Sequence, residues 1–161
     1  MDLHAAHPDV LVLVGTQTGN SEAVAEAVAE RLAALGFDAH VVDMAEAYPE
    51  MLADYRQLIV VMCTWADGTF PDNGKDFADA LPAVAPDLGG VAFGIIGLGD
   101  RDYEPYYQTA ALWLADRLRA YGAREAAGLH EIDGIPAARD VESVLAWTDR
   151  IAEAFAGSTS P

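Results

Sequence analysis

Residues 15–21, GTQTGNS, lie directly between the apolar run DVLVLV and the alanine-rich stretch EAVAEAVAERL. Thr16, Thr18 and Ser21 supply hydroxyl donors, Asn20 an amide, and Gly15 and Gly19 permit tight turns close to a ligand, with Gln17 between them and no charge anywhere. At a strand-to-helix junction, unpaired backbone N–H groups and the helix dipole favour an anion. The pattern is that of a phosphate cradle built from neutral dipoles. A simple turn would need only one capping Ser or Asn. Neither the Gly-Lys-Ser/Thr of a triphosphate loop nor the three-glycine dinucleotide fingerprint is present.

Two further loops carry the same kind of chemistry. CTWADGTFPDN begins at Cys63 and GLGDRDYEPYY at Gly97; each combines glycine with one aromatic set among small and acidic residues, Trp65 and Tyr103. Burial in the core is the other use for a residue like Trp65. Pro105 can open the next helix, where its missing N–H costs little, and Tyr106, Tyr107 and Trp113 suit packing of that helix. Together the three loops describe a slot for a flat, singly phosphorylated aromatic ligand. Flavin mononucleotide (FMN) has that shape.

The elements that must position these loops are legible in the apolar pattern. VLVLV (10–14), LIVVMC (58–63) and VAFGII (91–96) are continuous apolar runs rich in β-branched residues, as expected of central parallel strands covered on both faces. DAHVV near residue 40 and AAGLHEI near residue 129 are more mixed and suit edge strands. Val24, Val28, Leu32 and Leu35 repeat at helical spacing, as do Leu112, Leu114, Leu118 and Tyr121, and Val144, Trp147, Ile151 and Phe155. A short helix with Pro49 inside it is expected over Ala45–Asp54. Five β-α units predict a doubly wound α/β sandwich with right-handed crossovers, and ligands in such sheets sit beyond the carboxyl ends of the strands. Residues 1–161 are expected to form one domain, with GSTSP (157–161) as a loose tail.

Composition narrows the function. A chain of 161 residues suits one domain with a real core. With 26 acidic against 9 basic side chains the formal charge is −17, which would repel nucleic acid and anionic membranes. The acidity serves either solubility, including a high-salt setting, or docking to a basic partner. Cys63 is the single cysteine, so no internal disulfide and no cysteine-based metal cluster can form, and a reducing cytoplasm is the natural setting. His4, His7, His40 and His130 lack ligand spacing, so no metal is expected. The N-terminus lacks signal-peptide character, and no apolar run approaches the ~20 residues that span a bilayer.

The three motifs resemble a known family. TQTGNS is similar to the phosphate loop of flavodoxins and of the flavodoxin-like domains of diflavin reductases, CTWADGTFPDN to their second flavin loop, and GLGDRDYEPYY to their Gly-Leu-Gly-Asp…Tyr third loop. The resemblance runs over essentially the whole chain, and its length and LHEID ending are most similar to short, stand-alone flavodoxins of the MioC type. It implies a flavodoxin-like three-layer sandwich, a five-stranded parallel sheet of order 2-1-3-4-5 with helices on both faces. It also implies non-covalent FMN, with Thr16, Gln17, Thr18, Gly19, Asn20 and Ser21 on the phosphate and Trp65 and Tyr103 flanking the ring. Thr64, Ala66, Asp67, Gly68, Leu98, Gly99 and Asp100 would line the ring edge, with Tyr106 beside them. Ala66 stands where many relatives have Gly, which bears on redox tuning; Tyr107 stands where many have Cys, which concerns packing.

The function so implied is single-electron transfer, with no catalytic side chain and no substrate turnover of its own. Electrons would arrive from a flavin-containing NADPH reductase and leave to a redox enzyme, as to biotin synthesis for MioC-type relatives. Docking would use an acidic rim of Asp67, Asp72, Asp100, Asp102 and Glu104 on a monomer. Two other readings compete. An FMN-dependent NAD(P)H quinone or nitro reductase would turn over NAD(P)H alone. A response-regulator domain would need a phosphoacceptor Asp where Cys63 and Thr64 stand, and a lysine after the fifth strand, whereas Lys75 is the only lysine.

Overall fold

The structure is a computed structural model that describes residues 9–16, 19–65 and 68–158. Six strands, β1 (Asp9–Gly15), β2 (Asp38–Asp43), β3 (Gln57–Cys63), β4 (Ala92–Gly99), β5 (Arg124–Glu125) and β6 (His130–Asp133), form one sheet. Its order is β2-β1-β3-β4-β5, with β6 also on β4, and every pair is parallel. The expected order is thus present, with the fifth strand in two pieces. β5 pairs with Ala92 and Phe93, and β6 with Ile96 to Gly99. Between them Ala126 N–H donates to the Phe93 carbonyl and the Gly128 carbonyl accepts the Trp147 indole N–H, so the interruption leaves these groups bonded.

Strand alternation sends side chains to two cores. Val10, Val12, Val14, Ile59, Val61 and Ile96 meet α1 (Asn20–Ala34) and α4 (Ala138–Ser158) on one face. Leu11, Leu13, Leu58, Val60, Met62, Phe93 and Ile95 meet α2 (Lys75–Val84) and α3 (Thr109–Ala120) on the other. A one-residue slip of any central strand would exchange the two sets, and since both faces are covered the register is held by side-chain fit. Close approach tightens that fit at Gly94, where a Cβ would come within 2.7 Å of the Trp147 ring and would also strike Ile151.

Three elements differ from expectation. In place of one short helix over Ala45–Asp54 there are two 3-10 turns, Met44–Glu46 and Pro49–Asp54. Pro49 lacks the N–H that would continue the first turn and instead opens the second. α2 was hidden by Pro82 within it, yet Phe77 and Leu81, four residues apart, are buried and anchor it to the sheet. α4 runs through Ser158, two residues into the expected tail. No helix among the described residues is long and apolar enough to cross a membrane.

Candidate flavin site

The loops after β1, β3, β4 and β6 meet at the carboxyl end of the sheet around a slot of about 300 Å³. The end of the slot nearest α1 is built by the turn into that helix. Gly19, at φ 90°, takes a left-handed conformation that a side chain would strain, and its N–H donates to Thr16 Oγ1 at 2.8 Å. Thr16, Asn20 and Ser21 then face the slot at the amino end of α1. Ser21 is buried at 1% exposure and its Oγ has no hydrogen-bond partner among the described residues.

The middle of the slot comes from β3 and β4. Thr64 N–H donates to the Leu98 carbonyl at 2.9 Å, so the strands stay paired up to the slot, while Thr64 Oγ1 is a second buried hydroxyl without a partner among the described residues. Trp65 is fixed by its backbone, donating to Thr69 and accepting from Gly68, and its side chain remains 43% exposed. Asp100 caps the 3-10 turn Arg101–Tyr103 by accepting from the Asp102 N–H, and Tyr103, 50% exposed, also lines the slot. Arg101 locks that turn. Its N–H donates to Asp133, its guanidinium lies 4.2 Å from the centre of the Tyr107 ring, and Glu104, Glu131 and Asp133 surround it. Burial above all, with Glu131 adding to it, pushes the Tyr107 hydroxyl above its ordinary pKa, so it stays protonated at neutral pH.

Of the residues expected at the site, Thr16, Asn20, Ser21, Thr64, Trp65, Leu98, Gly99, Asp100 and Tyr103 line this one slot. Gly19 shapes it through backbone. Gly68 and Tyr106 stand together outside its lining; a Cβ on Gly68 would lie 3.1 Å from the Tyr106 ring, and Gly68 belongs to a neighbouring groove with Phe70 and Trp113. Gln17, Thr18, Ala66 and Asp67 lie outside the described residues. Cys63, Gly134 and Ile135 line the slot without having been expected there, and Ile135 is 82% exposed. Gln108 was also missed. It is buried in a left-handed conformation, and its Nε2 donates to the Gly97 carbonyl under the third loop.

The sequence profile of the flavodoxin family matches residues 12–147. The chain belongs to the flavodoxin family. It is 33% identical over 161 residues to the sulfite reductase [NADPH] flavoprotein alpha-component of Bacillus subtilis, covering 98% of this chain and 26% of that one. The corresponding component of Thiocapsa roseopersicina is 36% identical over 106 residues, covering 63% of this chain and 20% of that one. This flavodoxin therefore spans about a quarter or less of the length of these relatives. Oxidised flavodoxin 1 from Bacillus cereus superposes with a TM-score of 0.82 at 26% identity, over 90% of this chain and 97% of that one. Flavodoxin 2 of the same organism gives 0.82 at 28% identity, over 90% and 98%.

FMN is the cofactor and electron transfer the role. The residues present fit that group. Two buried hydroxyls, Ser21 Oγ and Thr64 Oγ1, line the slot with their hydrogen-bonding capacity unused among the described residues, which leaves them for a ligand. Trp65 and Tyr103, which also line it, are left half-exposed. Bound FMN supplies one-electron chemistry that no side chain in the slot offers.

Proposed function

We propose that this flavodoxin accepts single electrons from a flavin-containing NADPH reductase and delivers them to a redox enzyme, with both partners docking on the acidic rim of the slot. Thr16, Gly19, Asn20 and Ser21 would hold the phosphate, with Gln17 and Thr18 in the same loop. Trp65 and Tyr103 would flank the ring. Thr64, Leu98, Gly99 and Asp100 would meet its edge, and Ala66, Asp67 and Gly68 would complete the second loop. No side chain need donate or remove a proton at a substrate; the chain's work is to bind, orient and leave one edge open.

One observation carries the docking part of the reading. The exposed aromatics Trp65 and Tyr103 line the slot with Asp100, and Asp102 and Glu104 flank Tyr103 in the chain, while Lys75 in the neighbouring groove already faces Asp72, and Arg101 faces Glu104, Glu131 and Asp133. The rim is net acidic. Charge there would steer a basic partner to the open edge and would be screened within ~8–10 Å at physiological salt. The named relatives being flavoprotein components of an NADPH sulfite reductase supports a reductase as donor.

Stopped-flow reduction of the FMN-loaded chain by a basic flavin-containing NADPH reductase tests this. The second-order rate should fall on the order of tenfold or more between low and high ionic strength. A salt-independent rate removes the docking assignment. Steady NADPH oxidation by the chain alone would replace the carrier with a direct NAD(P)H reductase.

A further inference from the structure

Asn73 lies in the 3-10 turn Asp72–Gly74, at the end of the loop that follows β3. Its side chain ties that loop to two others. Oδ1 accepts the Thr16 backbone N–H at 2.8 Å, across 57 residues of sequence. Nδ2 donates to Asp43 Oδ1 at 2.8 Å and, over a longer 3.4 Å, to the Val14 carbonyl. The orientation of the amide is fixed by chemistry, since a backbone N–H needs the oxygen and a carboxylate needs the NH2. Asp43 is itself held in place, as its Oδ1 also accepts the Ala45 N–H and so caps the turn after β2.

Thr16 is the first residue beyond β1. With its N–H fixed by Asn73, its Oγ1 is placed to accept the Gly19 N–H, which leaves the hydroxyl hydrogen unused by that bond and the amino end of α1 facing the slot. We propose that Asn73 is the positioning residue of the phosphate end: it anchors the Thr16 N–H and thereby sets Thr16 Oγ1 where it accepts the Gly19 N–H. This rests on the FMN reading of the slot. Only an amide suits the place. A carboxylate would set like charge against Asp43, and an aliphatic side chain would release the Thr16 N–H and leave the turn to be ordered at the moment of binding.

The full chain, freed of flavin, is titrated with FMN and with riboflavin, following quenching of flavin fluorescence. In the unaltered protein FMN should bind far more tightly; equal affinities there refute the phosphate assignment itself, before any variant is compared. Asn73→Ala should weaken FMN about tenfold while riboflavin changes less than about twofold, because only the phosphate end is loosened. Parallel loss of both ligands would make Asn73 a general stabiliser and overturn the proposal, as would unchanged FMN affinity. Amide hydrogen exchange of the unaltered, flavin-free chain gives a reading that needs no variant. Protection of the Thr16 N–H supports the clamp, and exchange at the rate of an open-loop amide overturns it.

Discussion

Ser21→Ala should act with opposite signs on the free and the loaded protein. In the free chain Ser21 is 1% exposed and its Oγ has no partner among the described residues, so a buried hydroxyl remains unsatisfied. Such a group costs about 1–3 kcal/mol, and alanine also has the better helix propensity at this position inside the first turn of α1. The N-cap is Gly19, so no cap is lost. Removing the oxygen should therefore stabilise the free chain by about 1 kcal/mol or more, which for this size raises Tm by roughly 2–4 °C per kcal/mol. In the loaded chain the same oxygen would bond a phosphate, and a hydrogen bond to a charged group contributes about 1.5–3 kcal/mol, so FMN affinity should fall about ten- to a hundred-fold. Calorimetric melting of the free protein and fluorescence titration with FMN measure the two effects separately. A variant that melts lower when free, or that binds FMN as before, refutes the assignment of this oxygen to the ligand.

Gly68→Ala should destabilise the second loop, since Gly68 sits at φ 86° and a Cβ would lie 2.8 Å from Thr109 Oγ1; a loss of about 1–3 kcal/mol is expected, read as a lower urea midpoint at unchanged m. His130 is held below its ordinary pKa of 6.5, first by burial and then by Arg150. A histidine so depressed is protonated more readily in the unfolded chain, so its contribution is present above pH ~6.5 and is lost as pH falls below it; His130→Gln should flatten that part of the stability-pH curve, and an unchanged slope would contradict it. FMN association should become faster with added salt, the reverse of reductase docking, because a dianionic phosphate approaches a chain of formal charge −17. Stopped-flow quenching of flavin fluorescence at several ionic strengths measures it, and a rate that falls with salt would place unrecognised cations at the slot.

The central strands were legible because burial on both faces leaves uninterrupted apolar runs, and β1, β3 and β4 are those runs. The two helices of one face were legible by their spacing, Val24, Val28 and Leu32 against Val144, Trp147 and Ile151. α2 was not, because a ten-residue helix with Pro82 near its end shows only Phe77 and Leu81 as a pattern. The flavin loops stood out because hydroxyl, amide and glycine residues cluster where strands end, and that is a local property of the sequence. Asn73 belongs to a quoted motif, yet its role depends on Thr16 and Asp43, which only the parallel order β2-β1-β3 brings beside it. Ile135 carried no signal at all. An apolar residue after Asp133-Gly134 reads as an ordinary turn until β6, paired with β4, delivers it to the slot.

On the proposed reading, neutral recognition of the phosphate and an acidic docking surface would be two consequences of the same charge economy. A lysine or arginine at the phosphate would have to compete with the carboxylates of a strongly acidic chain, and the cations beside the slot are already engaged by such groups: Lys75 faces Asp72, and Arg101 faces Glu104, Glu131 and Asp133. Dipoles cannot be recruited in this way. The backbone N–H groups at the start of α1 keep the direction the helix gives them, and Asn73 holds the Thr16 N–H, whatever charge surrounds them. The carboxylates can thereby serve the outer surface. A partner with a basic face could then be drawn to the open edge by groups other than those proposed to hold FMN.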